Sequence, residues 1–160
     1  MLEALEAEGV RYVVIGGTAA AMGGATHVTF DLDITPERSP ANLDRLASAL
    51  RRVNARLTGV PDAIAAAFQL DGAILGNGSI WTFTTDHGRL DVAFEPSGTS
   101  GYKDLRRGAH ETKIDGMRIV VASLEDVIRS KEAADRERDR AVLPDLRRTL
   151  ELRREREGRR

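Results

Sequence analysis

Two aspartates one residue apart, Asp31 and Asp33, follow a Gly16-Gly17 pair that closes the apolar run Val13-Val14-Ile15. A β-strand projects residues i and i+2 from one face, so a strand through Phe30-Asp31-Leu32-Asp33-Ile34 presents both carboxylates together. Mg²⁺ is commonly held by one or two carboxylates together with phosphate oxygens. A glycine turn just upstream lets a phosphate chain approach the backbone closely. The combination points to the chemistry of a nucleotide bound with a divalent ion. The plain alternatives are a solvated strand face for the acids and an ordinary tight turn for the glycines.

Those groups need elements to hold them. Leu2 to Glu8 reads as a short helix ended by Gly9, and Arg11 to Ile15 as a buried, β-branched strand. Thr18 to Met22 reads as an alanine-rich helix with Gly23-Gly24 as its stop. From Val28 to Ile34 the pattern alternates: Val28, Phe30, Leu32 and Ile34 point one way, Thr29, Asp31, Asp33 and Thr35 the other. Ser39-Pro40 starts a helix that reaches about Arg52. A short helix over Ala63 to Phe68 is followed by turns over Asp71 to Asn77. Ser79 to Thr85 and Arg89 to Phe94 form two strands joined at Asp86-His87-Gly88. In the second of these Leu90, Val92 and Phe94 share one face, and Arg89 and Asp91 the other. Glu95 to Ala109 reads as a loop. Thr112 to Ile114 and Met117 to Val121 make a hairpin around Asp115-Gly116. Ser123 caps a helix, with Asp126 in capping-box position, that passes through Lys131 to about Arg136. A last helix carries Leu143, Leu146 and Leu150, with Pro144 near its start. This order predicts an α+β fold with a mixed central sheet, helices packed on one side of it, and C-terminal helices. It predicts one domain over residues 1–150 and a basic, frayed tail over 151–160.

Composition narrows the classes. The net charge of -1 gives no global field to attract nucleic acid. With no cysteine there are no disulfides, iron–sulfur clusters or thiolate zinc sites, which fits a reducing compartment. No apolar stretch is long enough to span a membrane, and the N-terminus lacks the basic start of a signal peptide. A cytoplasmic location is the default expectation. The arginines from Arg147 to Arg160 alternate with Glu151, Glu155 and Glu157, which reads better as a solvated helix end with Glu–Arg pairs than as an RNA contact.

An apolar strand ending in Gly-Gly, a short helix, then Asp-x-Asp with thirteen residues between Gly17 and Asp31 resembles the nucleotidyltransferase superfamily with the DNA-polymerase-β-like fold. Asp91 matches the third acid of that pattern. The segments Tyr12 to Ala19, Thr29 to Ile34 and Ser123 to Lys131, with Arg138-Asp139 before Leu143 and Asp145, are similar to the small bacterial branch associated with toxin–antitoxin systems, the AbiEii-like branch. Two positions depart from that branch: His27 and Arg138 stand where many relatives carry arginine and lysine. The resemblance implies an enzyme that moves a nucleoside monophosphate from an NTP to a hydroxyl and releases pyrophosphate. It implies that Asp31, Asp33 and Asp91 are catalytic and hold Mg²⁺ or Mn²⁺. It implies that Gly16, Gly17, Thr18 and Lys131 bind the phosphates; for His27, a loop histidine without a role is the better reading than a phosphate contact. The acceptors it implies are a tRNA end, a hydroxyl of a partner protein, or a small molecule, with a cognate toxin or antitoxin as partner. The alternatives are a catalytically silent antitoxin or nucleotide-binding module of the same fold, and an aminoglycoside-type small-molecule nucleotidyltransferase.

Overall fold

The computed structural model describes residues 1–26 and 29–158, apart from the Glu157 side chain. His27 and Val28, the first a candidate phosphate contact and the second the expected start of a strand, lie outside the described residues. Seven strands form one sheet: β1 (Tyr12–Val14), β2 (Leu32–Pro36), β3 (Arg56–Leu57), β4 (Ile80–Thr85), β5 (Gly88–Ala93), β6 (His110–Ile114) and β7 (Met117–Val121). Their order across the sheet is β3-β4-β5-β2-β1-β7-β6. The pairs β2–β5 and β1–β7 are parallel and the other four are antiparallel, so the sheet is mixed as the element order predicts.

The helices are α1 (Leu2–Ala7), α2 (Gly16–Met22), α3 (Pro40–Arg52), α4 (Asp62–Ala67), α5 (Gly72–Asn77), α6 (Tyr102–Gly108), α7 (Leu124–Ala134) and α8 (Glu137–Glu157). The central strands are covered on both faces rather than on one. Val13 shares a face with its partner Thr35, and Val14 shares the opposite face with Ile34; all four are inaccessible to solvent. α6 packs on β1 and α3 on β2.

Several local expectations needed correction. The second strand starts at Leu32, with Thr29 to Asp31 ahead of it outside any strand, so Asp31 occupies a bend just before it and Phe30 is 90% exposed. β1 hands over to α2 at Ile15, whose N–H still bonds the Asp33 carbonyl; upstream of that level the incoming chain has no β1 to pair with. The turns expected over Asp71 to Asn77 are α5, because the Asp71 carboxylate accepts the Ile74 N–H and Leu75 is fully buried. The loop expected before Ala109 contains α6, which buries Leu105. Pro144 lies well inside α8, not at its start, since that helix begins at Glu137. Leu143 and Leu146 on either side of it are buried, and this packing offsets the lost backbone hydrogen bond. Beyond Leu150, α8 continues to Glu157, the helix end with Glu–Arg pairs that the sequence suggests. Its arginines pair with glutamates, as in Arg154–Glu125 and Arg148–Glu151. Other signals were read correctly. Asp115 and Gly116 both have positive φ (49° and 82°), as a tight hairpin turn of this kind requires. The Ser123 hydroxyl accepts the Asp126 N–H.

One buried side chain ties the frame together. Asn42, on α3, accepts the Arg11 N–H at 2.7 Å and donates to the carbonyls of Arg11 (2.9 Å) and Glu37 (2.8 Å). It thereby closes the end of the β1–β2 pair that the ladder leaves open. Asn42→Ala leaves the Arg11 N–H and the Glu37 carbonyl without their partner, while the Arg11 carbonyl keeps the Glu37 N–H, and a loss of about 1–3 kcal/mol is expected, read from the midpoint of a urea titration.

Candidate active site

β2 and β5 run parallel and in register, with Leu32 opposite Leu90, Asp33 opposite Asp91 and Ile34 opposite Val92. The apolar members of both strands enter the core, so the two aspartates emerge side by side on the other face. Asp31 stands at the mouth of the strand, one step before Leu32. The three acids, drawn from two distant segments, thus lie near one another on the central strands β2 and β5.

The glycine turn closes over them. Gly16 has φ +63°, a conformation that a side chain disfavours, and a Cβ built there would collide with the Asp33 carboxylate. A Cβ on Gly17 would stand 3.0 Å from that of Thr29. The Gly17 N–H faces the Asp33 carboxylate and favours its charged form. The Thr18 hydroxyl donates to the Asp31 carbonyl at 2.8 Å. The residues singled out as a phosphate cradle are therefore also the clamp that orients the acids. Burial first, and then the charges of Asp91 and Asp31, push the Asp33 carboxyl up to about 6; Lys131 and the Gly17 N–H oppose this.

Lys131 comes from α7 and approaches the turn from the far side. Its ammonium donates to Asp139 Oδ1 at 2.9 Å. A cavity of about 30 Å³, large enough for water, separates it from Gly16 and is lined also by Pro96, Leu105 and Asp126. A second, wider cleft of about 440 Å³ opens beside Thr18 and Asp31, with Phe30 and Met117 as apolar walls and Glu3 and Asp115 as further acids.

Sequence reasoning assigned no role in the site to Asp139 or Arg89. Asp139 is buried, and its signal is only the eight-residue spacing from Lys131 across the break between α7 and α8. Arg89, placed by the alternation only on the same face as Asp91, bonds Asp91 and approaches Asp31.

No protein-family model matches the sequence, and no curated protein matches it. Solved structures do. The chain is similar to the lincosamide antibiotic adenylyltransferase LnuA in its lincomycin-bound crystal structure, with a TM-score of 0.60, 16% identity, and 91% of each chain covered. It has the fold of the nucleotidyltransferases. The antibiotic-resistance factor ANT(2'')-Ia, in solution, is similar with a TM-score of 0.55 and 14% identity, over 92% of this chain and 77% of that one. A Thermotoga maritima protein described as a nucleotidyltransferase is similar with a TM-score of 0.52 and 16% identity, over 95% of this chain and 85% of that one. The nucleotidyltransferase fold expected from the Gly-Gly and Asp-x-Asp pattern is thus the fold observed. No helix among the described residues is long and apolar enough to cross a membrane.

Proposed function

We propose that this chain is an enzyme that transfers a nucleoside monophosphate from an NTP to a hydroxyl, with Mg²⁺ or Mn²⁺ as its metal. The observation that carries the reading is the in-register pair Asp33–Asp91, with Asp31 beside it and the Gly16 turn pressed against Asp33. The donor set suits a hard cation, because Asp33 and Asp91 stand in register on neighbouring strands and the Asp33 carboxylate lies where a side chain on Gly16 would fall. Asp31, Asp33 and Asp91 would hold the metal, which when bound would offset the triphosphate's charge and stabilise the entering and leaving oxygens. Asp91 takes the proton of the acceptor hydroxyl. Gly16 and Gly17 offer backbone N–H groups to the phosphates, and Lys131 neutralises them from α7. Thr18 fixes Asp31 through its carbonyl. Pyrophosphate leaves.

The acceptor favoured is a small hydroxylated molecule. A cleft of about 440 Å³ matches the volume of small-molecule sites. Its acids, Glu3, Asp31 and Asp115, repel a phosphate backbone. LnuA, whose likeness spans nearly all of both chains, is an antibiotic adenylyltransferase seen with lincomycin. The toxin–antitoxin reading, with a tRNA end or a partner protein as acceptor, rests on the Tyr12 to Ala19, Thr29 to Ile34, Ser123 to Lys131 and Arg138-Asp139 segments. It is the second outcome of the same assay. Each labelled NTP is incubated with Mg²⁺ and, in turn, a lincosamide, an aminoglycoside, total tRNA and a cell lysate. Pyrophosphate release with a labelled small molecule is expected. Label on RNA or protein would transfer the assignment to the second reading, and NTP binding without release on any acceptor would make the chain a silent module. Lys131→Met should raise the KM for NTP about tenfold or more, the cost of a lost charge-assisted contact. Steady-state kinetics with a parallel melting curve checks this, since Asp139 loses its partner in that variant.

A further inference from the structure

The acids of the site hold a cation of their own. Arg89 lies two residues before Asp91 on β5 and shares its face. Its Nε is 3.3 Å from Asp91 Oδ1 and its Nη2 is 3.4 Å from Asp91 Oδ2. The same Nε is 4.0 Å from Asp31 Oδ2. The guanidinium therefore stands between the outer two carboxylates, Asp31 and Asp91, the side chains that would help to hold a divalent ion. Among the described residues no three acidic or histidine side chains are gathered at metal-ligand spacing, and Arg89 is the group interposed.

The contact is a loose one. Its distances are long and the Arg89 side chain is 52% exposed, so it is the kind of ion pair that contributes little and exchanges readily. Arginine also carries a planar fork that matches phosphate as well as carboxylate. Resting on the nucleotidyl-transfer reading, we propose that Arg89 is an exchangeable resident cation. It holds Asp31 and Asp91 in the metal-free protein, is displaced when the divalent ion enters, and then turns its fork to the phosphates of the bound nucleotide. It is a positioning residue in the first state and a substrate contact in the second. A fixed surface salt bridge would make neither transition.

The test follows the Arg89 side-chain Nε–H signal by nitrogen-15 NMR, assigned by its absence in Arg89→Met, while Mg²⁺ is added to the full chain without nucleotide. The signal should move toward the position of a solvated arginine with the midpoint of Asp33-dependent Mg²⁺ binding, and shift again on adding a non-hydrolysable NTP analogue. By calorimetry, Arg89→Met should bind Mg²⁺ about two- to fivefold more tightly than the unsubstituted protein, because no internal cation has to leave. A stationary signal at saturating Mg²⁺, or no tightening in Arg89→Met, overturns this inference alone. Mg²⁺ binding that persists unchanged in Asp33→Asn overturns the metal reading, and this one with it.

Discussion

Asp33→Asn is expected to abolish nucleotidyl transfer and, in the absence of metal, to make the protein harder to unfold at neutral pH. Both effects come from one placement. Asp33 lies beside Asp91 on the neighbouring strand, under the Gly16 turn, and its carboxyl is pushed from 3.8 up to about 6 by burial and by the charges of Asp91 and Asp31. A group whose folded pKa is raised binds its proton more tightly in the folded state. Protonation therefore favours the fold; that contribution is complete below about pH 4 and is lost as the pH rises through about 6. At pH 7 the metal-free protein carries an ionised, partly buried carboxylate between two like charges. Asparagine removes the charge at every pH while nearly keeping the shape. The variant should gain roughly 1–3 kcal/mol over the unsubstituted protein at pH 7 and converge with it near pH 4. Denaturant titrations in a chelating buffer across that range measure the difference, and Mg²⁺ should narrow it by binding the unsubstituted fold alone. Transfer activity should fall by roughly a thousandfold, the scale seen when one group that stabilises transition-state charge is removed. Equal stabilities from pH 5 to 8 would contradict the placement of Asp33 among like charges.

Gly16→Ala is expected to cost about a hundredfold in kcat with only a small loss of stability. The position has φ +63°, where an L side chain is strained by roughly 1–2 kcal/mol. For a domain of this size that lowers Tm by a few degrees. The larger effect is local, since the new methyl would occupy the place of the Asp33 carboxylate. That carboxylate must turn away, and a misplacement of about 1 Å in a reacting constellation costs on the order of a hundredfold. Gly17→Ala makes a useful comparison. Its backbone is not in the left-handed region, and its methyl would meet Thr29 rather than an acid. It should therefore retain more activity at a similar Tm. If the two variants proved equally active, the clamp on Asp33 would have no catalytic consequence.

Much of this site was legible because its signals are local. The glycine pair, the Asp-x-Asp spacing and the two-residue alternation around Asp91 each follow from a few consecutive residues, and they suffice to place three acids on strand faces or ends. What they do not contain is register. That Asp33 lies opposite Asp91, rather than two residues away, depends on how β2 and β5 dock, which no short window encodes. Phe30 shows the converse failure. Its alternation with Leu32 and Ile34 promises an inward side chain, yet β1 has already turned into α2 at that level and the ring is left in solvent. α5 and α6 escaped notice because each is short and anchored by one buried leucine, Leu75 or Leu105, too few to set a helical period. Pro144 misled in another way. A proline normally marks a helix start, but the flanking leucines hold α8 through it.

The parallel pairing of β2 with β5 has a kinetic consequence. The two strands lie roughly sixty residues apart in the chain, with α3, β3, α4, α5 and β4 between them in sequence. Closing so long a loop is entropically slow, whereas the β4–β5 and β6–β7 hairpins and the helices assemble from near neighbours. During refolding, compact and largely ordered molecules should accumulate in which Asp33 and Asp91 have yet to meet. Recovery of transfer activity would then lag behind recovery of far-ultraviolet ellipticity, and the interval between them would time the last topological event of the chain.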